Sequence, residues 1–226
     1  MLARGDVVRI LDLNPSSLIG VEQLIGDIPD SAKFAEACRG IDVVYHNVAQ
    51  VPLAKDHHIF MSVNESGTRI LLDRARKSRV RKVVYTSSSA IFGIPDRNPV
   101  MRETQPRPAE IYGRAKLAGE ELCRMASEAG LDVTIVRSRT ILGHGRLGVV
   151  QILFDWVSKG RDVPVFNGGE NIYQFVHADD LAWACIASGN RPGSAIYNVG
   201  AEQFGTMREL LEALIRHARS KSKLNH

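Results

Sequence analysis

The stretch "RKVVYTSSSAIFG", residues 81–93, sets the frame for the whole chain. Val83, Val84 and Tyr85 are apolar at consecutive positions, the pattern of a strand covered on both faces. The strand then runs into a hydroxyl-rich loop, "TSSS" (86–89). Outward from it, each neighbouring segment has helical spacing. "SVNESGTRILLDRARKSRV" (62–80) carries an apolar stripe of Ile70, Leu71, Ala75 and Val80, and "IYGRAKLAGEELCRMASEAG" (111–130) ends at Gly130, a C-cap residue type. A polar loop (94–108) precedes the second helix. Farther out lie the strands "IDVVYHNVA" (41–49) and "LDVTIVRSR" (131–139), the helix "AKFAEACRG" (32–40) and the strand "DVVRILDL" (6–13), which stops at the turn cluster "NPSS". Alternating strands and helices predict an α/β fold, a doubly wound parallel sheet with helices on both faces. Right-handed crossovers then gather the C-terminal strand ends on the edge where ligands bind.

Beyond residue 142 the pattern loosens. A helix (149–160), short strands "VPVF" and "YQFVH", a helix "DDLAWACIASG" (179–189) and a strand "AIYNVG" (195–200) follow. Thr206 and Glu209 have capping-box spacing ahead of a last helix, 207–218. Trp156 and Trp183 are expected in the core, and His177 in a structural role. Asp179 and Asp180 read as helix-opening acids that complement the dipole. His57 and His58 beside Asp56 make a solvated helix start, because a metal needs more converging ligands. No metal is expected.

Composition removes several classes. With 44% hydrophobic and 24% charged residues the 226-residue chain is of ordinary globular type, and its apolar runs are too short for a bilayer. Cys38, Cys123 and Cys185 have no metal-ligand spacing and read as reduced thiols in a cytoplasmic protein. The +4 net charge derives partly from "DRARKSRVRK" (73–82) and the tail "RHARSKSKLNH" (216–226), read as a helix end and a solvated terminus. Neither has the interleaved aromatics of a nucleic-acid face. No nucleic acid and no membrane are expected as partners.

"LGHGRLGVV" (142–150) contains a literal G-x-G-x-x-G at Gly143, Gly145 and Gly148. A dinucleotide turn springs straight from a strand and is followed about twenty residues later by an acid closing the next strand. Here polar Ser138 and Arg139 intervene, and Asp162 and Glu170 are wrongly placed for that acid. The triad reads as a loop between two lobes. By contrast "VVRILDL" is a strand that ends in an acid, Asp12, where a ribose-binding carboxylate belongs, so the glycine turn is expected upstream of residue 1.

Tyr112 and Lys116 stand at i, i+4 near a helix start and share a face. An ammonium close to a phenol favours the phenolate, so Lys116 is expected to lower the Tyr112 pKa. A serine hydroxyl from the 86–89 loop could hold a substrate oxygen for proton transfer.

With these residues in place the chain resembles the extended short-chain dehydrogenase/reductases, the NAD-dependent epimerase/dehydratase family. "YTSSSAIFG" followed by "YGRAK" carries the likeness, supported in order by "ILDLN", "GDIPD", "VVYHNVAQV", "VNESGT", "FVHADDLAWA" and "AIYNVG". The resemblance spans residue 6 to about 212. It implies a Rossmann-like NAD-binding domain, residues 1–142, and a smaller C-terminal substrate lobe, residues 143–226, with 175–189 packing back on the first domain. It further implies Tyr112 as catalytic acid/base, Lys116 as its partner and a ligand of the nicotinamide ribose, and Ser88 as the catalytic hydroxyl. Asp12 would hold the adenosine ribose and favour NAD over NADP, Asp27 and Ile28 would flank adenine, and Ala49, Asn64 and Ser87 would line the cofactor. Ser89, Arg139, His144 and Arg146 would face a small-molecule substrate, with Arg137 and Ser138 on the path to it.

The implied activity is oxidoreductase, epimerase or dehydratase chemistry on a sugar or nucleotide-sugar, with a homodimer paired through the Tyr112 helix as one assembly the likeness allows. Departures keep alternatives open. The family's glycine-rich turn is not in this sequence, the family usually continues past the last helix, and Tyr173 and Gln174 replace an Arg-Asp or Arg-Asn pair of nucleotide-sugar members. A truncated or regulatory non-catalytic relative, and a reductase of non-sugar carbonyl compounds, therefore remain as alternatives.

Overall fold

The computed structural model of the chain describes residues 1–27, 30–48, 62–101, 103–144 and 150–225. Ile28, Ala49, Asp56, His57, His58, Gly145, Arg146 and Gly148 lie outside the described residues. Two compact units result: Met1–Arg137 with Trp183–Asn198, and Ser138–Ala182 with Val199–His226.

The first unit contains β1 (Arg9–Asp12), β2 (Glu22–Ile25), α1 (Ser31–Cys38), β3 (Val43–His46), a π-helical turn (Ser62–Ser66), α2 (Gly67–Lys77), β4 (Lys82–Ser88), α3 (Ile111–Glu128) and β5 (Val133–Ser138). The later β10 (Ala195–Val199) joins β5 in a four-stranded sheet ordered β10-β5-β4-β3, with β3 and β4 parallel. The expected parallel α/β arrangement is thus present, but β1 and β2 pair parallel in a separate two-stranded sheet. Strand β2 was not expected from the sequence: of "EQLI", only Leu24 is less than exposed, so no apolar alternation announces it.

Consecutive apolar residues of β4 and β5 are buried as their patterns require. Val83, Tyr85, Val133 and Ile135 form a core with Phe34 and Cys38 of α1, Leu71, Leu72 and Ala75 of α2, and Cys123 of α3. Burying side chains of this kind contributes about 1.5–3 kcal/mol each. Helix α1 is capped by Asp30, whose carboxylate accepts from the amides of Ala32 and Lys33. At the start of β4 the fully buried Lys82 ammonium donates to Asp132 at 2.7 Å and to the Gly193 carbonyl at 3.1 Å. Helix α3 lies tight against β4: a Cβ at Gly119 would collide with the Tyr85 hydroxyl, so only glycine permits that spacing.

The second unit contains β6 (Thr140–Leu142), α4 (Gln151–Ser158), β7 (Val163–Pro164), β8 (Ile172–Tyr173), β9 (Phe175–His177), β11 (Gly205–Thr206), α6 (Met207–His217) and β12 (Leu224–Asn225), with three two-stranded pairings, β6–β9, β7–β12 and β8–β11. Its core is Val157, Val163, Val165 and Leu211, with Trp156 packed against it as expected. The capping box before α6 is present, Thr206 and Glu209 each holding the other's backbone amide. The tail is not a solvated terminus. Leu224 pairs with Val163 and joins that core, and Ser222 is buried.

Helix α5 (Ala178–Asn190) corrects a second expectation. Leu181, Cys185 and Ser188 form its buried stripe, and Trp183, two positions off that stripe, points away and is 72% exposed. Asp179 and Asp180 sit in its first turn, and the Asp179 amide donates to His177 Nδ1 at 3.3 Å. Gly143 packs directly against Ala178, 2.5 Å from its methyl if a Cβ were added, which gives this member of the triad a packing role. None of the described helices is long and apolar enough to cross a membrane.

Candidate active site

Strand β4 delivers three hydroxyls at its C-terminal end, and they diverge. Ser88 caps the following 3-10 turn (Ser89–Phe92), accepting from the Ala90 amide, and its side chain is close enough to Tyr112 to act on that phenol's pKa. Ser89, half-buried, begins that turn. Ser87 is buried and turned the other way, donating to Glu120 Oε1 at 2.5 Å. Thr86 donates to Asn47 Oδ1 at 2.6 Å. Of these hydroxyls, Ser88 is the one that acts on the Tyr112 pKa.

The electrostatics differ from expectation. Burial pushes the Tyr112 phenol above its ordinary value, and the Ser88 side chain opposes that shift. Lys116 is not among the causes. Its ammonium donates to the Thr86 carbonyl at 2.8 Å and lies 5.0 Å from the centre of the Tyr85 ring. Being 2% exposed, it is pushed down to about 8 by desolvation, with Cys123 and Glu120 holding it up in part. On the face it shares with Tyr112, Lys116 thus sends its ammonium to a carbonyl of the adjacent strand.

Behind these groups is a polar cluster that sequence reasoning missed. Arg137, expected on the path to substrate, is buried and forks onto Glu120, with Nη2–Oε2 at 2.7 Å and Nε–Oε1 at 3.0 Å. Its guanidinium lies 5.3 Å from the centre of the Phe92 ring, at the end of the turn that Ser88 caps. A signal was available: Tyr112, Lys116 and Glu120 recur every four residues, one face of one helix. Nearby, His46 Nε2 meets Thr68 Oγ1 at 3.2 Å, and that hydroxyl donates to the Asn64 carbonyl at 2.7 Å. The Thr68 proton being so engaged, His46 donates from Nε2. Burial, with Lys116 adding to it, lowers the His46 pKa to about 3.

Asp12 is exposed at the end of β1 and accepts from the Asn14 amide at 2.9 Å. Asp27 is exposed in the loop after β2, and Asn64 is buried in the π-helical turn. In the second unit the exposed His144 stands edge-on to His177, with ring centres 5.9 Å apart, while Arg139 is half-buried.

The chain is 57% identical over 227 residues to a Sinorhizobium fredii protein called "Uncharacterized protein y4nG", covering 99% of this chain and 57% of that one. It is 32% identical over 184 residues to the UDP-glucose 4-epimerase of Mycolicibacterium smegmatis, covering 76% and 59% of the two. It superposes on the UDP-glucose 4-epimerase of Thermus thermophilus, solved in complex with NAD, with a TM-score of 0.86 at 28% identity, covering 99% and 79%. The chain thus spans less than two thirds of the length of these two curated relatives. Residues 4–200 match the family described as NAD dependent epimerase/dehydratase, and to that family, with its Rossmann-like fold, the chain belongs.

Proposed function

We propose that this protein is an NAD-dependent epimerase or dehydratase acting on a nucleotide-sugar in a reducing, cytoplasmic setting. The observation that carries this reading is the nearness of Ser88, at the C-terminal end of β4, to the Tyr112 phenol. Residues 1–142 would serve as the NAD domain and 143–226 as the substrate lobe. The free, buried state of Cys38, Cys123 and Cys185 supports the reducing setting.

The residues present fit NAD at its two riboses. Asp12 offers an exposed carboxylate at a strand end, suited to ribose hydroxyls and repulsive to a 2′-phosphate. Lys116 has further ammonium donors beyond the one on Thr86. Asp27, Ile28, Ala49, Asn64 and Ser87 complete the proposed lining, Ser87 through its backbone since its hydroxyl is held by Glu120. NAD, when bound, supplies the acceptor and donor of hydride.

In the proposed mechanism Ser88 holds the substrate hydroxyl in line with Tyr112, whose phenolate oxygen removes the hydroxyl proton as the carbinol carbon is oxidised and returns it on reduction. With burial raising its pKa, Tyr112 is the neutral acid near pH 7 before ligands enter. Base function therefore requires a positive charge to arrive with the ligand, or a higher pH. Ser89, Arg139, His144 and Arg146 are proposed as substrate contacts.

Tyr112→Phe is the test. Turnover of UDP-glucose or dTDP-glucose in the presence of NAD should fall by about 10²–10⁴-fold, with NAD titration by calorimetry unchanged. Full turnover in the variant overturns the acid/base role. A second reading, a non-catalytic relative, draws on the raised Tyr112 pKa and on Lys116 facing Thr86. Absence of saturable NAD binding by this chain would favour it.

A further inference from the structure

We propose that Arg139 is the cation of an oxyanion site within the second unit, taking a phosphate or carboxylate group on its guanidinium. Its Nε is buried and has no hydrogen-bond partner, and none of its guanidinium nitrogens meets a carboxylate or carbonyl among the described residues. A buried donor left unmatched is costly, more so when charged, and each such group in a folded protein calls for an explanation.

Arg9 supplies the control. Its Nε is likewise buried without a partner, yet its charge is answered: Nη1 donates to the carbonyls of Ala37 at 3.0 Å and Arg39 at 2.7 Å, and Nη2 pairs with Glu22 at 2.8 Å. At Arg139 nothing among the described residues neutralises the head.

The stem of Arg139 is nevertheless held. The Arg139 amide donates to the Val199 carbonyl at 2.9 Å. A Cβ on Gly200 would come within 2.9 Å of both Arg139 Cγ and Gln174 Cδ, so the bare glycine backbone and the glutamine flank that stem. Gln174 is itself fixed, donating from Nε2 to the Ala201 carbonyl at 2.6 Å. Pairing of Thr140 with Phe175 puts Arg139 and Gln174 on one face of β6–β9, and Thr140, bonded to the Tyr173 hydroxyl at 3.0 Å, on the other. A planar donor fork on a positioned stem, with its charge unmatched, suits two-point binding of a carboxylate or phosphate. That the anion belongs to the substrate rests on the reading given above; that the guanidinium takes an oxyanion does not.

The test uses the intact chain, needs neither NAD nor turnover, and so fails independently of the enzyme reading. Arginine Nε–H resonances are followed by NMR while inorganic phosphate, and separately acetate, is titrated at constant ionic strength. One resonance, lost in Arg139→Gln, should shift saturably, and the anion that saturates lower identifies the source. Arg139→Lys and Gly200→Ala should each weaken that anion about tenfold or more. The proposal is overturned if neither anion shifts the Arg139 signal, if the shift fails to saturate, or if Arg139→Gln binds as the wild type does. The wild-type titration stands alone should a variant misfold.

Discussion

Arg137 and Arg139 are two residues apart in sequence and belong to different units of the molecule. Arg137 is paired with Glu120, which also accepts from Ser87, and faces the Phe92 ring, its charge matched and its fork occupied. Arg139 keeps a buried nitrogen without a partner and, among the described residues, a head without a counter-charge. The same side chain is therefore a structural member in one place and an open donor in the other, and the neighbours decide which. Charge content read from sequence says nothing of this; satisfaction does.

Breaking that contrast should produce its largest effect at the closed pair. Glu120→Ala leaves Arg137 buried and uncompensated, and urea denaturation should show a loss of about 3–5 kcal/mol. Replacing both partners, as Glu120→Leu with Arg137→Met, should recover much of it; no recovery would mean that the pair itself, and not the stranded charge, sets the cost.

A second, smaller effect concerns the neutral His46 in the same unit. Its folded pKa lies well below the unfolded value, so the unfolded chain binds the extra proton between about pH 6.5 and 3. Stability should be intact above about 6.5 and decline as pH falls through that window. His46→Gln should flatten this part of the profile of unfolding free energy against pH. An unchanged slope would show that other groups govern acid unfolding.

The smallest effect is expected at the open arginine. Arg139→Gln should leave unfolding free energy unchanged or raise it, by about 1 kcal/mol at most, because no native partner is lost and an unmatched buried donor is removed. A loss comparable to that of Glu120→Ala would show that Arg139 has a structural partner and would erase the distinction between the two residues.

Much of the fold was legible because strands buried on both faces leave unbroken apolar runs, as in Val83–Tyr85, and because caps have local chemistry, as at Thr206 and Glu209. What escaped had no local marker. Strand β2 is polar, Leu224 lies in a basic tail, and Trp183 looks like core until the phase of its helix is fixed by Leu181 and Cys185. At the candidate site, the run "SSS" and the helix start marked the hydroxyls and the phenol, and only the family resemblance singled out Ser88. The direction of the Lys116 ammonium could not, since Thr86 offers a carbonyl that no spacing rule reveals. Glu120 was hidden for a similar reason: an acid on a helix is ordinarily solvated, and only the buried Arg137 across from it makes it otherwise.

The contact of Gly119 with Tyr85 has a consequence for how the phenol can be tuned. Seven residues along the helix from Tyr112, a single absent carbon sets the gap between that helix and the strand that bears Ser88. A methyl group there would wedge the two elements apart and carry the phenol away from Ser88; on the mechanism proposed above, misplacements of about 1 Å would cost about a hundredfold in rate. Remote from both side chains, this position acts as the shim by which the reach between the helix and the strand is adjusted.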